Sequence, residues 1–101
     1  MSTVYVIATI KTHPDKLDAL LPHAREVVRA TNANESGCLL YQANVSVSEP
    51  DTLRMVEQWK TREDLTKHFT MPHMDVWRAA NAPLIAERKV EIITPSNVEV
   101  K

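Results

Sequence analysis

The apolar residues of this chain follow two different periods, and each change of period marks the border of a predicted element. Apolar residues recur at steps of three and four between Asp15 and Thr31, which predicts an amphipathic helix. Two shorter helices are predicted after Thr61, separated by a break at Pro72, because the residue before a proline resists helical geometry. Alternating or continuous apolar runs predict four strands: Val4–Lys11, Cys38–Val47, Leu53–Trp59 and Lys89–Thr94.

This order, β-α-β-β-α-β with the second helix in two pieces, predicts a ferredoxin-like α+β sandwich. The whole chain, residues 1–101, is expected to form one domain. Helices cover one face of such a sheet. The other face would present Tyr5, Ile7 and Val56, or the residues that alternate with them, without a covering layer. An uncovered apolar face indicates an interaction surface, so we expect a homodimer that packs sheet face against sheet face.

Three local features follow from turn and helix chemistry. Thr12 or His13 is expected to cap the first helix, with Pro14 in its first turn. Gly37 is expected to take a positive φ after that helix ends. In the last helix, Val76 is expected to face inward together with Trp77.

Composition narrows the classes of function. The net charge of −1 gives no basic surface for nucleic acid, and no apolar run is long enough to cross a membrane. The single cysteine, Cys38, fits a reducing compartment, and the expected location is the cytoplasm. The single glycine excludes a glycine-rich phosphate loop.

The candidate chemistry concentrates in residues 55–77, which contain both tryptophans and two of the four histidines. His68 and His73 could be hydrogen-bond donors or a general base at the mouth of a small-molecule pocket. Alternatively, His68 is a helix-surface residue and His73 a satisfied core residue. Trp59 either forms the floor of an aromatic pocket or belongs to the core. Glu57 lies on the face of Trp59 and needs a partner there, either structural or as a base with a raised pKa.

Two further predictions concern amides and metals. Asn44 could turn inward and orient a carbonyl or dioxygen, or it could simply end a strand. The spacing of His68 and His73 is not that of a helical zinc pair, and neither Asp64 nor Asp75 completes a convincing ligand set. We therefore expect no metal and no bound cofactor.

The run E-Q-W-K-T-R-E-D-L-T-K-H-F-T-M-P-H-M, together with the earlier H-P-D-K and E-S-G-C, resembles the antibiotic biosynthesis monooxygenase domain. The resemblance implies a dimeric α+β barrel and, in some members, oxidation of quinols or phenols by dioxygen without metal, flavin or haem. By match to the motif it implies pocket positions at Trp59, His68 and His73, with Glu57 as the carboxylate. Apolar lining is expected from Phe69, Met74 and Trp77.

The chain also departs from the family pattern. Met55 stands where polyketide-oxidising members carry an asparagine, and Asn44 is the available substitute. The first strand lacks the asparagine of haem-degrading members. The leading hypothesis is thus a cofactor-independent oxygenase for a small quinol or phenol. One alternative is an isomerase or degrading enzyme for a small phosphorylated signalling metabolite, favoured by Arg62, Lys67 and Arg78. The other is a non-enzymatic dimeric barrel for ligand binding or stress response, favoured by a filled pocket.

Overall fold

The structure of the protein, a computed structural model, describes residues 3–101 as one sheet with helices on one face. Its elements are β1 (Val4–Thr12), α1 (Leu17–Asn34), β2 (Cys38–Val45), β3 (Thr52–Trp59), α2 (Arg62–His68), α3 (Pro72–Asn81) and β4 (Ile85–Ile93). This order confirms the predicted ferredoxin-like α+β fold. The last strand begins at Ile85 rather than at Lys89, because its pairing with β1 continues to Thr12.

The four strands are ordered β2-β3-β1-β4, and each neighbouring pair is antiparallel. The predicted central strand is β1, which pairs with both β3 and β4. The register sets Ala8 opposite Met55 on one side and Val90 on the other, so these three residues share a face. The same register places Ile7 beside Val56 on the opposite face.

The core lies between the inner sheet face and the helices. Its buried side chains alternate along β1 and β3, as a period of two requires when only one face is covered. The chain therefore keeps Tyr5, Ile7 and Val56 half-buried on the face that has no helices. Among residues 3–101, no helix combines the length and apolarity needed to cross a membrane.

The start of α1 differs from the prediction. The helix begins at Leu17 with Lys16 at its N-cap, and no side chain caps it. Thr12 lies too far before this N-cap to accept from the first turn, and its hydroxyl donates instead to the backbone oxygen of His13 at 2.9 Å. The turn into the helix is made by Asp15, which adopts a φ of 65°.

The expectation of a positive φ at Gly37 is wrong. None is found at this glycine, and its role is to leave space. A Cβ at this position would overlap the side chain of Asp64. Asp64 belongs to the N-terminal cap of α2, where its backbone N–H donates to Thr61 Oγ1 at 3.1 Å. Gly37 thus lets the α1–β2 turn approach the start of α2.

The inward face of α3 is also shifted from the prediction. Met74, Trp77 and Asn81 are its buried residues, whereas Val76 is 64% exposed. The expectation for Val76 is wrong, because the buried stripe of α3 consists of Met74, Trp77 and Asn81.

Candidate active site

A cavity of about 350 Å³ lies between the inner sheet face and helices α2 and α3. This is within the usual size range for a small-molecule site, roughly 300–1,000 Å³. Its wall contains six of the side chains singled out in the sequence: Met55, Glu57, His68, Phe69, Met74 and Trp77. Tyr41 from β2, Arg78 from α3 and Arg88 from β4 complete its polar lining. Most of the rest of the wall is aliphatic.

Behind this wall, Glu35 holds both histidines. Its Oε2 lies 2.7 Å from His68 Nδ1 and 2.7 Å from His73 Nε2. The Glu35 side chain is 6% exposed, and those of His68 and His73 are 1% and 13% exposed. Glu35 follows α1 directly, so the end of the long helix delivers one carboxylate to the junction of α2 and α3.

This arrangement fixes the tautomer of His68. A carboxylate only accepts hydrogen bonds, so Nδ1 of His68 must carry the proton that is donated to Glu35. In the neutral ring Nε2 is then left with its lone pair. This buried nitrogen has no hydrogen-bond partner among residues 3–101. His68 is thus a residue of the cavity wall that keeps one unengaged basic nitrogen.

The surroundings keep the ring of His68 neutral. Burial lowers its pKa, Glu35 opposes that shift, and the positive charge of Arg78 and the nearby His73 add to the lowering. At neutral pH the imidazole is therefore in the form that can accept a proton.

A second ionisable group in the wall is Glu57, which is 5% exposed. Its pKa is raised from 4.5 to about 7, mainly by burial. The hydrogen bond from Trp59 lowers the pKa, and the charge of Glu35 raises it further. Trp59 Nε1 donates to Glu57 Oε1 at 3.0 Å. Burial and, to a smaller extent, the charge of Glu57 also raise the pKa of the neighbouring Tyr41 phenol. The cavity therefore combines a neutral base with groups that hold protons near pH 7.

Two of the three predicted catalytic rings support the cavity from outside it. Trp59 is fully buried and absent from the cavity lining. Its ring packs against His68, with centroids 4.6 Å apart. His73 is likewise absent from the lining. It is hydrogen-bonded to Glu35, and its ring centroid lies 6.1 Å from that of His68. The three rings converge, but only His68 faces the hollow.

Asn44 does not join this group, and its predicted inward position is wrong. It pairs with Arg54 in the β2–β3 ladder and lies, exposed, on the face without helices. Tyr41 is the β2 residue that lines the cavity, and its partner in the ladder is the inward-facing Glu57.

The Glu35 cluster also bears on metal binding. Its carboxylate oxygen and two ring nitrogens all lie within 4.8 Å of one another, and these are ligand types that divalent transition metals accept. The prediction of no metal considered only Asp64 and Asp75 as the third ligand and so missed Glu35. In this structure the same atoms are joined directly by the two hydrogen bonds to Glu35.

Glu35, Tyr41 and Arg88 were missed by sequence reasoning. Tyr41 carried a signal, because it alternates with Gln42 on its strand and an aromatic residue on an inward face is a natural lining group. Glu35 is 33 residues from His68, and no local spacing connects the two. The only sequence feature that pointed to Glu35 was its place in the E-S-G-C run.

Comparison with known proteins identifies the class. The antibiotic biosynthesis monooxygenase family model matches residues 3–80, and the chain belongs to this family. It is 32% identical over 100 residues to a curated Escherichia coli K12 protein, covering 89% of this chain and 95% of that relative. That relative is named Probable quinol monooxygenase YgiN.

Solved structures agree on the fold. The protein PA3566 from Pseudomonas aeruginosa superposes with a TM-score of 0.87 at 25% identity, covering 96% of this chain and 97% of that one. A Caulobacter crescentus protein named for antibiotic biosynthesis monooxygenases gives a TM-score of 0.89 at 25% identity, covering 95% and 92%.

Proposed function

We propose that this protein is a cofactor-independent monooxygenase that oxidises a small quinol or phenol with dioxygen. Membership of the family and the name of the Escherichia coli relative support the reaction class. The size and largely apolar lining of the cavity support a small aromatic guest.

One observation carries the proposal: the buried Nε2 of His68 lacks a partner while Nδ1 is held by Glu35. A phenol that enters the cavity supplies the missing partner through its hydroxyl group. His68 then takes the phenolic proton as general base, and Glu35 stabilises the imidazolium that forms. Since proton removal makes the ring electron-rich, the substrate itself becomes the reductant of dioxygen.

For a simple hydroquinone the proposed overall reaction is hydroquinone plus dioxygen giving hydroxybenzoquinone plus water. One oxygen atom enters the ring, and the other leaves as water with two hydrogens of the substrate. Glu57 lines the cavity and holds its proton up to a pH of about 7, so we assign to it the protonation of the reduced oxygen. Trp59 positions Glu57 through its indole N–H, and His73 positions Glu35.

The direct test is oxygen uptake with a panel of hydroquinones, comparing wild type with His68→Ala. Loss of a general base typically costs about 100-fold or more in kcat. The matched control is His13→Ala, because the side chain of His13 is exposed and lies outside the cavity lining. The control should oxidise at the wild-type rate.

Two results would contradict the proposal. Equal uptake by wild type and His68→Ala would remove the base, and no uptake by wild type across the panel would remove the oxygenase. Thermal unfolding and quinone binding by His68→Ala show whether a loss of rate is chemical or merely reflects unfolding.

The isomerase alternative has one observation in its favour, which is that Arg78 lines the cavity. Its other predicted cations do not: Lys67 lines a separate small cleft, and Arg62 donates to Thr66 on the surface of α2. Conversion of phosphorylated sugars without oxygen uptake would favour it over the oxygenase. The binding-only alternative expected a filled pocket, whereas Met55, Phe69, Met74 and Trp77 surround an open one.

We further propose that two copies pair through the sheet faces that carry Tyr5, Ile7 and Val56. This face has no helix, and its apolar side chains are half-buried in the single chain. Light scattering after gel filtration should give twice the mass of the chain, and Ile7→Glu should give the single mass. A wild-type monomer would refute the pairing.

A further inference from the structure

Arg88 is the one arginine of the cavity wall that carries no carboxylate partner within residues 3–101. The other arginine of the wall, Arg78, forms a salt bridge with Asp75. Away from the cavity, Arg29 pairs with Glu26 and Arg54 with Glu49. Arg88 lies opposite Ile10 in the β1–β4 ladder, on the same face as Val90 and Ile92, and lines the cavity with them. Arg88 is thus the cation on the aliphatic β4 side of the hollow, and it also lines a second cleft with Glu49 and Glu87, with neither of which it forms a salt bridge within residues 3–101.

Arg78 gives the same region a second positive charge. Its Nη2 donates to the backbone oxygen of Phe69 at 2.8 Å, which fixes the guanidinium against the cavity wall. Its salt bridge with Asp75 is long, at 3.3 Å, and the Asp75 side chain is 78% exposed. The charge of Arg78 reaches far enough inward to affect His68.

Below about pH 7 the carboxyl of the cavity wall is mostly protonated, so it does little to neutralise this pair. The one acidic side chain of the lining among residues 3–101 is Glu57, and burial raises its pKa to about 7. The cavity wall thus combines a neutral base and a carboxyl that is mostly protonated below about pH 7 with two cations, Arg78 on α3 and Arg88 on β4.

We propose that the cavity selects aromatic substrates that carry an anionic substituent, a carboxylate in the first instance, which Arg88 binds while the phenolic end reaches His68. This inference rests on the proposed function and specifies its substrate class. Arg88 is the anchor because its guanidinium is free to take a bidentate carboxylate, and Arg78 adds long-range attraction.

The test measures binding of 2,5-dihydroxybenzoate and of its methyl ester, which is the same ring without the charge. Titration calorimetry without oxygen separates binding from oxidation. Wild type should bind the acid about tenfold more tightly than the ester, as expected for one charge-assisted contact of about 1.4 kcal/mol. Arg88→Met should bring the ratio close to one.

The matched control is Lys89→Met. Lys89 is the next residue of β4, pairs with Thr9 on the opposite sheet face and has a side chain 69% exposed. The control removes the same net charge and should keep the tenfold ratio, whereas added salt should reduce it in wild type.

Three outcomes would overturn the inference: equal binding of acid and ester by wild type, an unchanged ratio in Arg88→Met, or no measurable binding of either compound. Failure of the proposed function looks different. In that case the acid-to-ester ratio and its dependence on Arg88 persist, but neither compound supports oxygen uptake once air is admitted.

Discussion

Replacing Glu57 by Gln should change how the stability of the protein depends on pH. Gln has nearly the same shape, and its amide oxygen can still accept the hydrogen bond from Trp59 Nε1. What the variant loses is the ionisation of a buried carboxyl. The comparison therefore isolates the cost of placing a negative charge beside the cavity.

The sign follows from linkage. The folded protein raises the pKa of Glu57 from 4.5 to about 7, so the native state holds this proton more tightly than the unfolded chain. The stability that this provides is present below pH 4.5 and is lost as the pH rises to about 7. At about 1.36 kcal/mol per pKa unit, the wild type should lose roughly 3 kcal/mol relative to Glu57→Gln across this window.

The assay is urea unfolding of both proteins at intervals between about pH 4 and pH 9. This range brackets the ionisation of Glu57 in the unfolded and in the folded state. His68 acts in the opposite direction: its lowered pKa costs stability as the pH falls through the ordinary histidine range. Since both proteins contain His68, its contribution largely cancels in the difference. A surface control, Glu63→Gln, should give a flat difference because Glu63 is exposed on α2. An equally flat difference for Glu57→Gln would refute the raised pKa.

Three further predictions follow from the Glu35 cluster and the α1–β2 turn. Glu35→Gln should lower kcat by about 100-fold with little change in KM. The reason is that an amide can donate to one imidazole and so disturb the tautomer of His68. An unchanged pH–rate profile would contradict this role of Glu35. Dialysis against EDTA should leave oxygen uptake unchanged, whereas a loss that a divalent cation restores would make the cluster a metal site. Gly37→Ala should lower the free energy of unfolding by about 1–3 kcal/mol through its overlap with Asp64; in Gly37→Ala/Asp64→Ala the two losses should not add.

The fold could be read from the sequence because its signal is local. A period of two along β1 and a period near 3.6 along α1 each act over about ten residues, and the order of elements then limits the topology. Errors arose where tertiary contacts decide the detail. Gly37 was expected to need an unusual φ, but Asp64, which is distant along the chain, is what excludes a side chain there.

The site could be predicted only where its residues are neighbours in sequence. His68, Phe69, Met74 and Trp77 come from one stretch, and the structure keeps them together. Glu35 could not be predicted, because only the tertiary fold brings it to His68, 33 residues further along the chain. The face of Asn44 depended on the register between β2 and β3, which a single strand does not encode.

The two tryptophans occupy different positions relative to the cavity, so their intrinsic fluorescence should report two different events. Trp77 lines the hollow, so its fluorescence should respond when a guest displaces solvent from the indole. Trp59 is sealed from solvent with its ring centroid 4.6 Å from that of His68, and a protonated imidazole quenches a neighbouring indole. Retaining one tryptophan at a time would thus report occupancy and proton uptake as separate signals.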